Sequence, residues 1–190
     1  VLGREDEEGL GQRVGGAVDG DLPLTAAGTP LYTRGRNVKE LWPALLEKAF
    51  AQLRGSYEVL DHGGSPQLAL SSLTGTPTDW GLTGDLSTKQ IFEFFQRATA
   101  AHQPACATSC ADVKPGEQWD RGLVADHAYT VLGATVENGK QYISLRNPWG
   151  LFEPKGNGPN DGVFKMSIDE FKRRFDRVYA SRHVGTRAPQ

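Results

Sequence analysis

The chain has 190 residues, with 21 Lys and Arg against 23 Asp and Glu, and so a formal net charge of −2. Hydrophobic residues make up 38% and charged residues 23%, enough for a real core and too evenly balanced to present a field for nucleic acid or an anionic membrane. No run of about 18 apolar residues is present, no leader-like segment opens the chain, and two cysteines are too few for a disulfide scaffold, so a cytoplasmic globular protein is expected.

Residues 1–18 read as a flexible arm rich in acid and Gly, with at most one short strand near 13–19, and a second short strand is expected at 29–33. Asn37, with Glu40 three residues on, forms a candidate capping box. Leu41, Trp42, Leu45, Leu46, Ala49, Phe50 and Leu53 then recur at helical spacing up to Gly55, although Pro43 argues for a first turn nearer Leu41. Ser65-Pro66 opens a short helix carrying Leu68, Leu70 and Leu73. Ser87-Thr88-Lys89-Gln90 is another capping box, starting a helix whose apolar stripe is Ile91, Phe92, Phe94, Phe95 and Ala98.

A short strand is expected at 105–109. Segments 126–136 and 141–146 look like strands flanking Glu137-Asn138-Gly139, a hairpin signature. A loop at 153–162, a strand at 162–166 and a last helix over 168–180 capped by Ser167 complete the chain before a tail at 183–190. Trp42, Phe50, Phe92, Phe95 and Phe171 are expected in the core, and Lys172, Arg173, Arg174 and Arg177 on a solvated face. Trp80 and Trp119 either line a cleft or cover the core. The order, a helical part at about 37–101 and then an antiparallel sheet part at about 103–166 with a late helix, is α+β.

The chemistry concentrates in Asp126-His127-Ala128-Tyr129 and Arg146-Asn147-Pro148-Trp149-Gly150. A two-residue Asn138-Gly139 loop carried through an unbroken hairpin would put Asn147 opposite Thr130, on the face away from His127. A three-residue loop with Gly139 as a bulge pairs Val136 with Lys140 and puts Asn147 opposite Tyr129, on the His127 face and about 7 Å along the strand. The second register is adopted. An imidazole held by a neutral amide is the base half of a Cys–His–Asn constellation, and Trp149 is placed to shield that hydrogen bond from water. The alternative is an ordinary strand histidine followed by an Asn-Pro turn.

These two motifs resemble those of the calpain-type (papain-like) cysteine proteases. The likeness extends, in order, through Asp19-Gly20-Asp21-Leu22-Pro23, Leu41 to Leu53, Gly55-Ser56-Tyr57 and Leu73-Thr74-Gly75, and spans about residues 17–180. The implied fold is a papain-like C-terminal lobe over 19–182, a twisted antiparallel sheet or half-barrel flanked by about four helices. The resemblance implies that His127 is the general base, Asn147 its orienter and Trp149 their shield. The family's nucleophile segment, Gln-x-x-x-Gly-Asp-Cys-Trp, is not found in these residues. Cys106 and Cys110 follow a helix rather than heading one, and read as a small hydrophobe or a surface thiol; as half a metal site they lack a second ligand pair, since His102 stands alone and His62 lies in a Gly-rich loop.

Acidic calcium loops are also implied by the resemblance. Here the segment after Gly150 holds only Glu153 and Asp161 as carboxylates, to which Asp79 and Asp85 could add ligands, and calcium prefers six to eight oxygens with several negative charges, so a solvated acidic loop is the better reading. No cofactor is therefore expected. Two functional classes stand: the His/Asn lobe of a cysteine endopeptidase, inactive alone and completed by an upstream Cys-bearing lobe, or a module without chemistry that binds or regulates a protein partner.

Overall fold

The computed structural model describes residues 17–33, 37, 40–61, 63–111, 122–154 and 158–182. The expected strand near 13–19 falls largely outside these residues, as do His62, Trp119 and the two ends of the chain. Contacts divide the chain into two compact units, one of residues 12–65 and one containing residues 66–190. No helix among the described residues is long and apolar enough to cross a membrane.

The first unit holds helices α1 (Trp42–Arg54) and α2 (Tyr57–Asp61). The expected Asn37 cap is not used. Helix α1 starts at Leu41 without a side-chain cap, and Pro43 sits in its first turn, where its missing N–H costs no hydrogen bond. Trp42, expected in the core, is 65% exposed, because it lies at the first helical position rather than one turn further in. The segment 29–33 forms no strand; only an isolated bridge joins Leu24 to Pro30. Tyr32 stacks on Tyr57 with ring centroids 4.8 Å apart.

The second unit runs α3 (Pro66–Thr74), β1 (Thr78–Leu82), α4 (Thr88–Ala100), β2 (Ala105–Ser109), β3 (Ala128–Glu137), β4 (Lys140–Arg146), β5 (Val163–Ser167), α5 (Ile168–Arg174) and β6 (Phe175–Ser181). The strands form one antiparallel sheet in the order β1-β6-β2-β3-β4-β5, an α+β fold of the papain-like half-barrel kind. Among the described residues the sheet is accompanied by α-helices, the five-residue α2 being the shortest. Helix α4 begins at the Ser87–Gln90 capping box, and Ile91, Phe92, Phe94, Phe95 and Ala98 are all buried. They join Ala107, Tyr129, Val131, Ile143, Leu145, Phe164, Phe171, Phe175 and Val178 in the core. Burying each phenylalanine side chain contributes about 1.5–3 kcal/mol, so this stripe fixes α4 to the sheet.

The expected last helix over 168–180 ends at Arg174, and Phe175 opens a strand. The Phe171/Phe175 spacing suits a helix. Extended backbone wins because β6 fills the gap between β1 and β2, where Val178, Tyr179 and Ala180 are buried. Strand β1 pairs only with β6 and has no local signature in the sequence. The basic run is not all solvated: Lys172 donates to the Leu86 carbonyl and Arg174 pairs with Glu170 at 3.1 Å.

Candidate active site

The β3–β4 turn differs from the expected three-residue loop. Glu137 pairs with Lys140 across Asn138-Gly139, whose φ values of 49° and 75° belong to a two-residue turn of type I′. That register persists to Gly133↔Ser144. It then shifts, and Val131 pairs with Leu145 and Thr130 with Arg146. Leu132 is the extra residue, a bulge 46% exposed beside Gly133. The shift continues the ladder so that Asn147 comes level with Tyr129, as the adopted register requires, but the bulge lies within the strand rather than in the turn.

His127 immediately precedes β3. Its backbone is held from both sides by Ser109, at the end of β2: the Ser109 N–H donates to the His127 carbonyl at 2.9 Å, and the His127 N–H donates to Ser109 Oγ at 3.0 Å. The Ser109 hydroxyl in turn donates to the Val124 carbonyl at 2.6 Å, and the Val124 N–H donates to the Tyr129 hydroxyl at 2.8 Å. A register shift between Thr108 and Ser109 on the β6 side lies at the same end of the sheet. Ser109 and the Val124–Tyr129 clip carry no motif, and sequence reasoning missed them.

Asn147 is fully buried one residue beyond β4. Its Oδ1 accepts from the Trp149 N–H at 3.1 Å, and its Nδ2 donates to the Phe152 carbonyl at 3.2 Å. A peptide N–H can only donate and a peptide carbonyl can only accept, so these two partners fix which end of the amide is which. His127 Nε2 lies 3.0 Å from the same Oδ1 and must therefore carry a proton. The lone pair of the neutral ring is left on Nδ1.

Two aromatic rings enclose the imidazole. Trp149 covers it with centroids 4.6 Å apart, and Tyr129 meets it edge-on at 5.0 Å. Trp149 is itself 55% exposed and touches Phe152 edge to face at 6.1 Å, so the cover is the rim of an open surface. Burial of the ring holds the His127 pKa below its ordinary value, partly opposed by the Asn147 hydrogen bond, which favours the charged ring. This half-buried base with a fixed tautomer can take a proton at Nδ1 from an acid brought against it.

Neither cysteine of the chain is aimed at that nitrogen. Cys106 pairs with Thr130 and Tyr179 and so points to the sheet face opposite Ala107 and Tyr129; burial pushes its thiol up to about 12. Cys110 Sγ lies 3.9 Å from the Arg173 carbonyl. Among the described residues no group of three or more His, Cys, Asp or Glu is gathered as metal ligands. Glu153 and Asp161, the carboxylates considered for calcium, accept backbone N–H groups within their own loop: Glu153 from Gly162 at 2.9 Å and Asp161 from Val163 at 2.9 Å.

Residues 9–160 match the profile of the calpain family cysteine proteases. Calpain clp-1 of Caenorhabditis elegans is 31% identical over 201 residues, covering 88% of this chain and 25% of that protein. The calpain-2 catalytic subunit of Gallus gallus is 31% identical over 198 residues, covering 88% of this chain and 27% of its own length. A thiol protease of Porphyromonas gingivalis is 30% identical over 184 residues, covering 77% of this chain and 37% of that protein. The chain thus spans between about a quarter and two fifths of these three relatives.

Proposed function

The chain belongs to the calpain family of cysteine proteases, and from that premise we propose that it supplies the base half of a peptide-hydrolysing site whose thiol comes from outside these residues. His127 is the general base, Asn147 its orienter and Trp149 its cover. The observation that carries this reading is the 3.0 Å contact between His127 Nε2 and an Asn147 Oδ1 whose orientation two backbone groups dictate. With Nε2 occupied, Nδ1 takes the proton of a cysteine thiol brought against it, and the imidazolium stabilises the thiolate. The thiolate attacks the carbonyl carbon of a peptide substrate. The Nδ1 proton passes to the leaving amine, a thioester forms, and the neutral ring then draws a proton from water, which hydrolyses the thioester.

This sequence of steps calls for no metal or organic cofactor. It suits a reducing cytoplasmic setting that keeps the thiol available. In this reading Cys106, with its thiol raised and its side chain on the other sheet face, is not the nucleophile. Supported by that placement, the 190-residue chain alone is read as inactive towards peptides.

The test is complementation. The chain is mixed with, or fused to, a Cys-bearing segment of a calpain relative, and cleavage of a fluorogenic peptide is followed. Restored cleavage that His127→Ala abolishes supports the assignment. Absence of cleavage from a folded complemented pair, or cleavage that survives His127→Ala, overturns it and leaves a binding module as the better description.

A further inference from the structure

The segment that follows the candidate orienter is tied back onto it by a carboxylate. Glu153 is 9% exposed, and its Oε2 accepts the N–H groups of Gly162 at 2.9 Å and Asp161 at 3.2 Å. The Gly162 carbonyl accepts the Asn147 N–H at 2.8 Å. One residue before Glu153, the Phe152 carbonyl accepts from Asn147 Nδ2 at 3.2 Å. The same carboxylate-bearing segment therefore reaches Asn147 by two routes, one to its backbone and one to its amide.

The backbone around these contacts is constrained on purpose. Phe152 stands at φ 61°, a conformation that a bulky residue adopts only when its surroundings impose it. Its N–H donates to Asn160 Oδ1 at 2.9 Å, which holds the peptide so that the carbonyl faces Asn147. Gly162, at φ 80°, approaches so closely that a Cβ would stand 3.0 Å from the Gly150 carbonyl carbon and 3.1 Å from the backbone carbonyl oxygen of Asn147. Gly122 makes a similar approach on the other side, where a Cβ would fall 2.0 Å from the Glu153 carbonyl oxygen. The two ends of the loop are thus pressed together around a buried carboxylate.

We propose that Glu153 is a positioning residue: as a twofold acceptor for the Asp161 and Gly162 amides it closes the loop that orients the Asn147 amide, and through that amide it keeps the proton of His127 on Nε2. The inference rests on the reading of Asn147 as the orienter of His127. A peptide amide needs an oxygen acceptor there, and a Gln oxygen can serve as well as a carboxylate, whereas Ala supplies none.

The test reads the ring itself in the full 190-residue chain, which requires no nucleophile. A hydrogen-bonded imidazole N–H exchanges slowly with water, so the His127 Nε2–H resonance is followed by NMR in wild type, Glu153→Gln and Glu153→Ala. Wild type and Glu153→Gln are expected to show it, and Glu153→Ala to lose it to exchange while core methyl signals stay dispersed. Retention of the signal in folded Glu153→Ala overturns the proposal, as does equal loss in Glu153→Gln. If Glu153→Ala does not fold, Asn160→Ala decides, because it frees the Phe152 N–H in the same loop; a weakened ring resonance supports the proposal and an unchanged one overturns it. In the complemented enzyme Glu153→Ala is expected to lower kcat by up to about a hundredfold, with KM unchanged. Failure of complementation with an intact ring signal counts against the protease reading alone; an unmoved ring signal with restored cleavage counts against the role of Glu153 alone.

Discussion

Asn147→Ala is expected to destabilise the fold more than His127→Ala, although the histidine is the residue assigned the proton transfer. Asn147 is fully buried, and removing its amide strands three groups at once: His127 Nε2–H, the Trp149 N–H and the Phe152 carbonyl. Two of these are backbone groups, and each buried, unpartnered one costs about 1–3 kcal/mol. Trp149 and Phe152 are 55% and 53% exposed, so water reaches the rim and the lower end applies, about 2 kcal/mol in total. For a domain of this size that lowers Tm by about 4–8 °C. His127→Ala removes only the Nε2–H from the same network and leaves both backbone partners of Asn147 in place, so about half that loss or less is expected. The assay is thermal unfolding of the three proteins by near-ultraviolet circular dichroism, in parallel with peptide cleavage after complementation. Both variants should lose cleavage, His127→Ala completely and Asn147→Ala by about a hundredfold through misorientation of the ring. A Tm for Asn147→Ala within a degree of wild type, or one above that of His127→Ala, would refute the argument that the amide is locked by backbone groups.

Three further outcomes follow from the same geometry. Trp149→Ala should raise the His127 pKa towards the ordinary value of about 6.5, since it uncovers a ring whose burial disfavours its charge; a titration of the His127 ring signals by NMR that moves downwards would show instead that the indole had been stabilising the cation. Because the folded pKa of His127 is depressed, its contribution to stability is fully present above about pH 6.5 and lost as pH falls through the folded pKa; urea midpoints measured across that window should drop in wild type and stay flatter in His127→Gln. Cys106, with its thiol near 12, should resist iodoacetamide at pH 8, where only about one molecule in ten thousand is thiolate, and Cys106→Ala should leave complemented cleavage intact; rapid alkylation of the folded chain at Cys106, mapped by mass spectrometry, would contradict the burial argument.

How much of this could be read from the residues differs from element to element. The Ser87–Gln90 capping box and the stripe from Ile91 to Ala98 were legible because a helix closes its contacts within four residues, and the structure places that helix where the spacing says. The meeting of His127 and Asn147 was legible through the alternation of side chains, yet the device assumed for it was not the one used. Asn138-Gly139 makes the tight two-residue turn its dipeptide favours, and the register is corrected seven residues away at Leu132. Gly133 beside the extra residue is a hint that a strand can bulge there, but it does not say that it must. Phe171 and Phe175, four apart, imitated a helical stripe across a boundary that the structure draws between them.

By itself the sequence determined features that depend on near neighbours: the start of α4, the place of the β3–β4 turn, the period-two pattern of the hairpin strands and the two motifs that mark the family. Tertiary structure alone decided where β6 goes, since Thr78 pairs with Ser181 and Ala105 with Ala180, residues far apart along the chain. It also decided the direction of the Asn147 amide, which depends on a carbonyl at Phe152, a bulge at Leu132 and a carboxylate at Glu153 reaching the same few ångströms. Such placements are won by burial and by satisfying backbone hydrogen bonds across long separations, and no local pattern records the outcome of that competition.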